Sequence, residues 1–185
     1  MSYLPVRSKS FSTTALILKR VNVGEADRIV TLFTQDYGKI VSVAKGVRKM
    51  KSSKRASLEP GNLVNAYFIK TKSLPLLTQA QLLTDHQGCK KSLIKLRQLS
   101  QALEIIDRLF VEEQPEEQLF AEIKTLLMTL SSDHSNGGII RQQLTSIITQ
   151  LGYQPPKDTR HLSINDYIAE LTEKPMRSWQ FLQVK

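Results

Sequence analysis

The amino-acid sequence predicts an α+β chain, with a small N-terminal β-barrel over residues 1–83 followed by an all-α domain over residues 84–185. Three observations lead there. Strand-like patterning fills the chain from Thr14 to about Leu83, helical spacing replaces it afterwards, and the charge divides at the same place. Residues 1–83 hold 14 Lys and Arg against 4 Asp and Glu, whereas residues 84–185 hold 12 against 13. The net charge of +9 therefore belongs to the first half, and a surplus of that size points to a polyanionic partner. A hydrophobic content of 41% is that of a globular chain and excludes disorder over the whole length.

Residues 1–12 read as a loose leader. The first strand is TTALILKRVNV, broken by Gly24. RIVTLFT then places Ile29, Thr31 and Phe33 on one face and Val30 and Leu32 on the other. Gln35-Asp36-Tyr37-Gly38 is a turn, with Gly38 able to take a positive φ. KIVSVAKG is the third strand, ended by Gly46, and residues 47–57 form a polar, charged connection. Glu59-Pro60-Gly61 turns the chain into the fourth strand, NLVNAYFIKT. Lys72-Ser73-Leu74-Pro75 leads to the fifth, LLTQAQLL. Apolar groups on both faces suit a closed or nearly closed barrel better than a sheet with one wet face. Five short strands in about 70 residues is the count of an OB-fold; an SH3-like barrel, or a sheet capped by the following helices, has the same count.

Leu93, Leu96, Leu99, Leu103, Ile106 and Phe110 then form the stripe of an amphipathic helix. Pro115 opens a second helix, with Glu116 and Glu117 at the positive end of its dipole and Leu119, Ile123, Leu126, Leu127 and Leu130 as its stripe. SSDHSNGG is a loop. Ile140, Leu144, Ile147, Ile148 and Leu151 mark a third helix, capped by Gly152, with Tyr153 packing back and Pro155-Pro156 as the stop. SINDYIAEL is a short fourth helix with Ser163 as its cap, and Trp179 and Phe181 pin the tail onto the helical core.

The single cysteine, Cys89, excludes an intramolecular disulfide and a Cys-based zinc site, and His86, His134 and His161 show no ligand spacing. No metal and no cofactor are expected. No apolar run approaches the roughly 18–20 residues of a membrane span, and the apolar stretch near the start is too short for a signal-peptide core. The cytosol is the expected compartment, with no membrane partner. GxxxxGK[ST] and GxGxxG are absent, and no Ser/His/Asp or Cys/His set can be placed, so the chain is not read as an enzyme. Glu25 and Asp27 could hold a metal in a nuclease, but beside Arg28 they read as an ion pair or turn element.

The sharpest functional feature is KGVRKMKSSKR, residues 45–55, in which Lys45, Arg48, Lys49, Lys51, Lys54 and Arg55 lie with no acid among them. Phosphates attract such a cluster, and binding releases condensed counterions. A short basic loop beside a barrel can follow a nucleic-acid backbone without reading bases. Arg20, Arg28 and Lys39 flank the strand ends and can extend the positive surface. Phe33 and Phe68 read as core; Tyr37 and Tyr67 are the aromatics placed to stack a base, although packing explains each more simply. In the helical half, Lys90, Lys91, Lys95 and Arg97 stand at the start of the first long helix, where they suit either solvent or an acidic peptide tail.

GEADRIVTLFTQDYGKIVSVAKGVRK, residues 24–49, resembles the N-terminal signature of the RecO family, with its Gly-Glu-x-Asp-Arg turn, Tyr/His-Gly-Lys turn and strand ending in Ala-Lys-Gly. LEPGNLVNAYF, residues 58–68, is similar to the family's next segment, and QLGYQPP, residues 150–156, to the Leu-Gly-Tyr-x-Pro that closes a helix of its C-terminal domain. The resemblance implies an N-terminal OB-fold and a C-terminal helical domain. It implies binding of single- and double-stranded DNA, annealing of complementary strands, and loading of the recombinase in DNA repair. The implied partners are RecR and the acidic C-terminal tail of the single-stranded DNA-binding protein, in the bacterial cytoplasm at the nucleoid. The basic cluster falls where the family places DNA-contacting cations. Many members carry four zinc-binding cysteines after the Leu-Gly-Tyr element; residues 157–185 have none, so a zinc-free, shortened helical domain is expected. The alternative is a non-enzymatic adaptor whose helical domain binds an acidic peptide tail.

Overall fold

The computed structural model describes residues 9–49, 52, 54–86, 88–89, 92–112, 114, 117–133, 136–159 and 163–178. Pro115, Lys51, Lys90, Lys91, Trp179 and Phe181 lie outside the described residues, and so do the expectations resting on them. The chain forms two compact units. One comprises residues 1–85 with 110–117, the other residues 86–109 with 118–185.

The first unit is the expected five-stranded barrel. Its strands are β1 (Ser10–Val23), β2 (Asp27–Thr34), β3 (Gly38–Ala44), β4 (Leu63–Ile69) and β5 (Leu76–Thr84). They close in the order β1-β2-β3-β5-β4, and β1 is long enough to pair antiparallel with both β2 and β4. Closure rests on one parallel bridge, Val43 to Leu76, reinforced by the Val43 N–H donating to the Pro75 carbonyl at 2.9 Å. This five-stranded ring is OB-like. Its interior is filled by alternate residues, among them Phe11, Ala15, Ile17, Val30, Leu32, Ile40, Val64, Phe68 and Leu77. Phe11 stacks on Phe68 with ring centroids 5.0 Å apart.

Residues 47–57, expected as a polar connection, contain a short helix, α1 (Lys54–Ser57). Val47 and Leu58 on either side of it are fully buried in the barrel core, and they anchor the segment. Asn62 holds it from below: its side-chain amide donates to the carbonyls of Ala56 and Ser57 at 3.0 and 3.1 Å. Loop residues as short as these could not form a helix unaided; tertiary anchoring supplies the stability.

The stripe expected to run through Phe110 ends one residue earlier. α2 (Leu93–Leu109) buries Leu99, Leu103 and Ile106, while Phe110 leaves the helix and packs on Phe33 of the barrel at 4.4 Å. Residue 112 then bridges to Lys39 on the open half of the β3 edge. The helical unit continues with α3 (Glu117–Ser131), α4 (Gly137–Gln150), a 3-10 turn at Pro156–Asp158 and α5 (Ile164–Leu171). The expected stripes of α3 and α4 are buried at Leu119, Ile123, Leu126, Leu127, Leu130, Ile140, Leu144, Ile147 and Ile148. Gly152 has φ +87°, and the Ser163 hydroxyl accepts from the Asp166 N–H at 3.2 Å, so both expected caps are formed. Among the described residues no helix is long and apolar enough to cross a membrane.

Candidate nucleic-acid interface

The candidate site lies at the barrel end where β2 begins and β3 finishes. Arg28, the second residue of β2, sits between Asn22 of β1 and Ala44 of β3. Residues directly opposite in an antiparallel ladder face the same side, so Arg28, like Val30 and Leu32 along its strand, points toward the barrel interior. Only 7% of it is exposed. Its Nε donates to Asn22 Oδ1 at 3.1 Å, and its Nη1 is buried with no hydrogen-bond partner.

A slip in register brings in Arg20. Ile17 is opposite Leu32, but the next pair is Lys19 with Thr31, so Leu18 is the extra residue of a bulge. Without it Ile17 and Arg20 would face opposite sides. With it Arg20 stands opposite Val30, on the same side as Arg28. There it is ion-paired with Glu59. Glu59 is fixed because Leu58 is buried beside it and the following turn docks on the bulged strand: the Gly61 N–H donates to the Ile17 carbonyl and the Ile17 N–H to the Asn62 carbonyl, each at 2.9 Å.

The basic segment folds against the same end. The Arg48 N–H donates to the Ala26 carbonyl at 2.9 Å and its Nη1 to the Gly24 carbonyl at 3.0 Å, so Arg48 lies along the β1–β2 turn. Asp27 accepts from the Gly46 N–H at 2.8 Å. That bond gives the carboxylate a turn-bracing role, and Glu25 is exposed on the turn before it. Burial holds the Arg28 guanidinium below its ordinary pKa, and the charges of Arg20, Arg55 and Arg48 add to that while Glu59 opposes it. Arg20, Arg28, Arg48 and Arg55 therefore share one electrostatic neighbourhood.

The other candidates divide. Lys45, Lys49 and Arg55 are exposed, and among the described residues no acid pairs with them. Lys54 is half-buried, with Nζ 3.5 Å from the Leu77 carbonyl, and burial lowers its pKa. Lys39 stands at the far end of β3 from Ala44, and its backbone bridges to residue 112. Two features missed by the sequence reading belong to this end. The β4–β5 turn meets the end of β3 through Pro75 and carries exposed Lys72. Val21, Ile29, Val43 and Leu76 form one row across four strands, with Val21 53% exposed. The β1–β2 and β4–β5 turns flanking such a face are where OB-folds bind oligonucleotides.

Tyr37 packs edge-on against Phe11 with ring centroids 4.8 Å apart, and the Tyr67 hydroxyl bonds to Ser10 Oγ at 2.6 Å. In the helical unit, Ser131 Oγ lies 3.0 Å from His86 Nδ1 and 3.4 Å from the buried Cys89 Sγ while it donates to the Leu127 carbonyl. This internal network fastens the start of the unit to α3. Among the described residues no three His, Cys, Asp or Glu side chains lie together as metal ligands.

The fold and its basic end define an OB-like barrel domain joined to a helical unit. Residues 8–86 match the family model described as Recombination protein O N terminal. The chain is 31% identical over 147 residues to the DNA repair protein RecO of Thermoanaerobacter sp. (strain X514), covering 79% of this chain and 59% of that one. It is 32% identical over 148 residues to RecO of Caldanaerobacter subterraneus subsp. tengcongensis, covering 80% and 60%. To RecO of Gloeothece citriformis (strain PCC 7424) it is 37% identical over 113 residues, covering 61% and 40%. The barrel thus matches the RecO N-terminal family model, and the chain is similar to RecO proteins over about four fifths of its length. It spans about three fifths of the length of the first of these relatives.

Proposed function

We propose that this chain is a non-enzymatic, DNA-binding mediator of recombinational repair that holds single- and double-stranded DNA at the basic end of its barrel. The observation that carries the reading is that strand register and hydrogen bonding bring Arg20, Arg28 and Arg48 to one barrel end, with exposed Lys45 and Lys49 in the segment beside them. Phosphate contacts from such a set supply affinity without sequence preference. The aliphatic row through Val21, Ile29 and Val43 offers bases a contact with no hydrogen-bonding pattern to match.

We further propose that it anneals complementary strands and loads the recombinase together with RecR, a reading that the DNA repair role of the relatives supports. The proposed location is the nucleoid of a bacterial cytoplasm. The helical unit is the proposed seat for the acidic C-terminal tail of the single-stranded DNA-binding protein. Leu93 and Ile94 are 63% and 70% exposed at the start of α2, an apolar contact for such a tail. Lys95 beside them is engaged by the Ser132 carbonyl at 2.6 Å, so it must be shared or released for a tail to use it.

Titration of fluorescently labelled single- and double-stranded DNA at two salt concentrations tests the reading. Both forms should bind, and affinity should fall steeply as salt rises. A chain that binds neither form at low salt, yet captures an acidic peptide, would be the adaptor instead.

A further inference from the structure

We infer that Glu59 is a built-in counterion that competes with DNA phosphate for the partly exposed Arg20, beside the buried guanidinium of Arg28. The inference rests on the DNA-binding reading above and adds a regulator to that same site.

Two observations on opposite strands carry it. A guanidinium nitrogen buried without an acceptor is rare in native proteins, and Arg28 Nη1 is one, in a side chain that is 7% exposed. The acceptor that such a group calls for is anionic, because the neighbourhood already holds Arg20, Arg48 and Arg55. The acid of that neighbourhood is Glu59, and its carboxylate is committed to Arg20. Among the described residues, Glu59 is the carboxylate ion-paired in this group of arginines, while the neighbouring Asp27 carboxylate is taken by the Gly46 N–H.

The chemistry of a phosphodiester suits this neighbourhood. It can take the partly exposed Arg20 guanidinium as its direct partner while its charge acts across a short distance on the buried Arg28. Arg20 is on the same side of the ladder as Arg28. Its pair with Glu59 is partly wet, with side chains 28% and 32% exposed, so exchanging one anion for another requires no opening of the core. Glu59 itself cannot drift away, because Leu58 and the Gly61–Ile17 hydrogen bond fix the turn. Each phosphate bound therefore has to displace a tethered rival. Weak DNA grips with few contacts are penalised more than extended ones.

The test is Glu59→Gln in the full chain, with binding of an oligothymidylate followed by fluorescence anisotropy between 50 and 200 mM salt. Glutamine keeps an oxygen for Arg20 but removes the charge. Affinity at 50 mM should rise several-fold, and the gain should shrink by about two- to threefold at 200 mM, as one added single-strand contact with a slope of about 0.7 requires. Glu25→Gln, an equal charge change on the exposed β1–β2 turn, should produce a smaller gain with no change in slope. Arg20→Gln combined with Glu59→Gln should abolish the gain, since the released guanidinium is gone. If Glu59→Gln binds like the wild type or merely like Glu25→Gln, while Arg28→Gln still weakens binding, the competition is overturned and the interface stands. If Arg28→Gln and a combined Arg48→Gln, Arg55→Gln variant all bind like the wild type, the interface reading itself falls.

Discussion

Arg28 on β2 lies directly opposite Asn22 on β1 and donates its Nε–H to the Asn22 side-chain oxygen Oδ1 at 3.1 Å, yet among the described residues its Nη1 has no partner. A barrel designed for stability alone would not bury a charge in this state. Replacing a buried charged group by an apolar one of similar length is often neutral or stabilising. Arg28→Met should therefore leave the melting temperature unchanged or raise it. The same change should weaken DNA binding about tenfold or more, because a hydrogen bond to a charged group contributes about 1.5–3 kcal/mol. Parallel thermal denaturation and DNA titration check this; loss of stability together with unchanged binding would make Arg28 a structural residue.

Gly38 and Gly24 both occupy positive φ, at +68° and +55°, and they differ in their surroundings. A Cβ on Gly38 would come within 2.0 Å of the Gln114 carbonyl oxygen, whereas nothing lies within 4 Å of one on Gly24. Gly24→Ala should cost about 1–2 kcal/mol from backbone conformation alone. Gly38→Ala should cost several kcal/mol, since residues 110–117 must also be displaced from the β3 edge. Chemical denaturation midpoints of the two variants measure the difference.

Glu104 and Arg108 on α2 pair at 2.6 Å and hold residues 172–178. The Glu104 carboxylate accepts from the Arg177 and Ser178 N–H groups at 2.8 and 2.7 Å, and Arg108 reaches the Pro175 carbonyl at 2.6 Å. Burial alone would raise the Glu104 pKa; the hydrogen bonds outweigh it and hold the group below the ordinary glutamate value. A depressed folded-state pKa gives stability that is present above the unfolded value of about 4.3 and is lost as pH falls through the folded one. Melting temperature should therefore decline on acidification below about pH 4.3, and Glu104→Gln should flatten that decline while lowering stability at pH 7 by about 1–3 kcal/mol. An identical acid profile in the variant would remove Glu104 from the linkage.

The strands, the helical stripes and the caps at Gly152 and Ser163 were legible because each depends on local spacing. The cations of residues 45–55 were legible as a charge run for the same reason. What could not be read was anything set by long-range register. Arg20 joins Arg28 through a one-residue slip at Leu18, which leaves no mark on the alternation of an already apolar strand. Phe110 continues the α2 stripe by spacing and is claimed instead by Phe33. Asn62 reads as the first residue of the fourth strand, and its role in holding α1 exists only once the barrel has brought residues 56 and 57 beside it. Lys39 carries the same charge as the cluster that follows β3, but the length of β3 sets it at the far end from Arg28.

The central claim is that DNA phosphates are met at the barrel end by Arg48, Lys49 and Arg55. The direct measurement is the salt dependence of single-stranded DNA binding by the full chain in which all three are changed to glutamine, compared with the wild type. At about 0.7 per phosphate contact, the slope of log affinity against log salt should flatten by about two units. A slope equal to that of the wild type, in a protein with unchanged folding, would contradict the account.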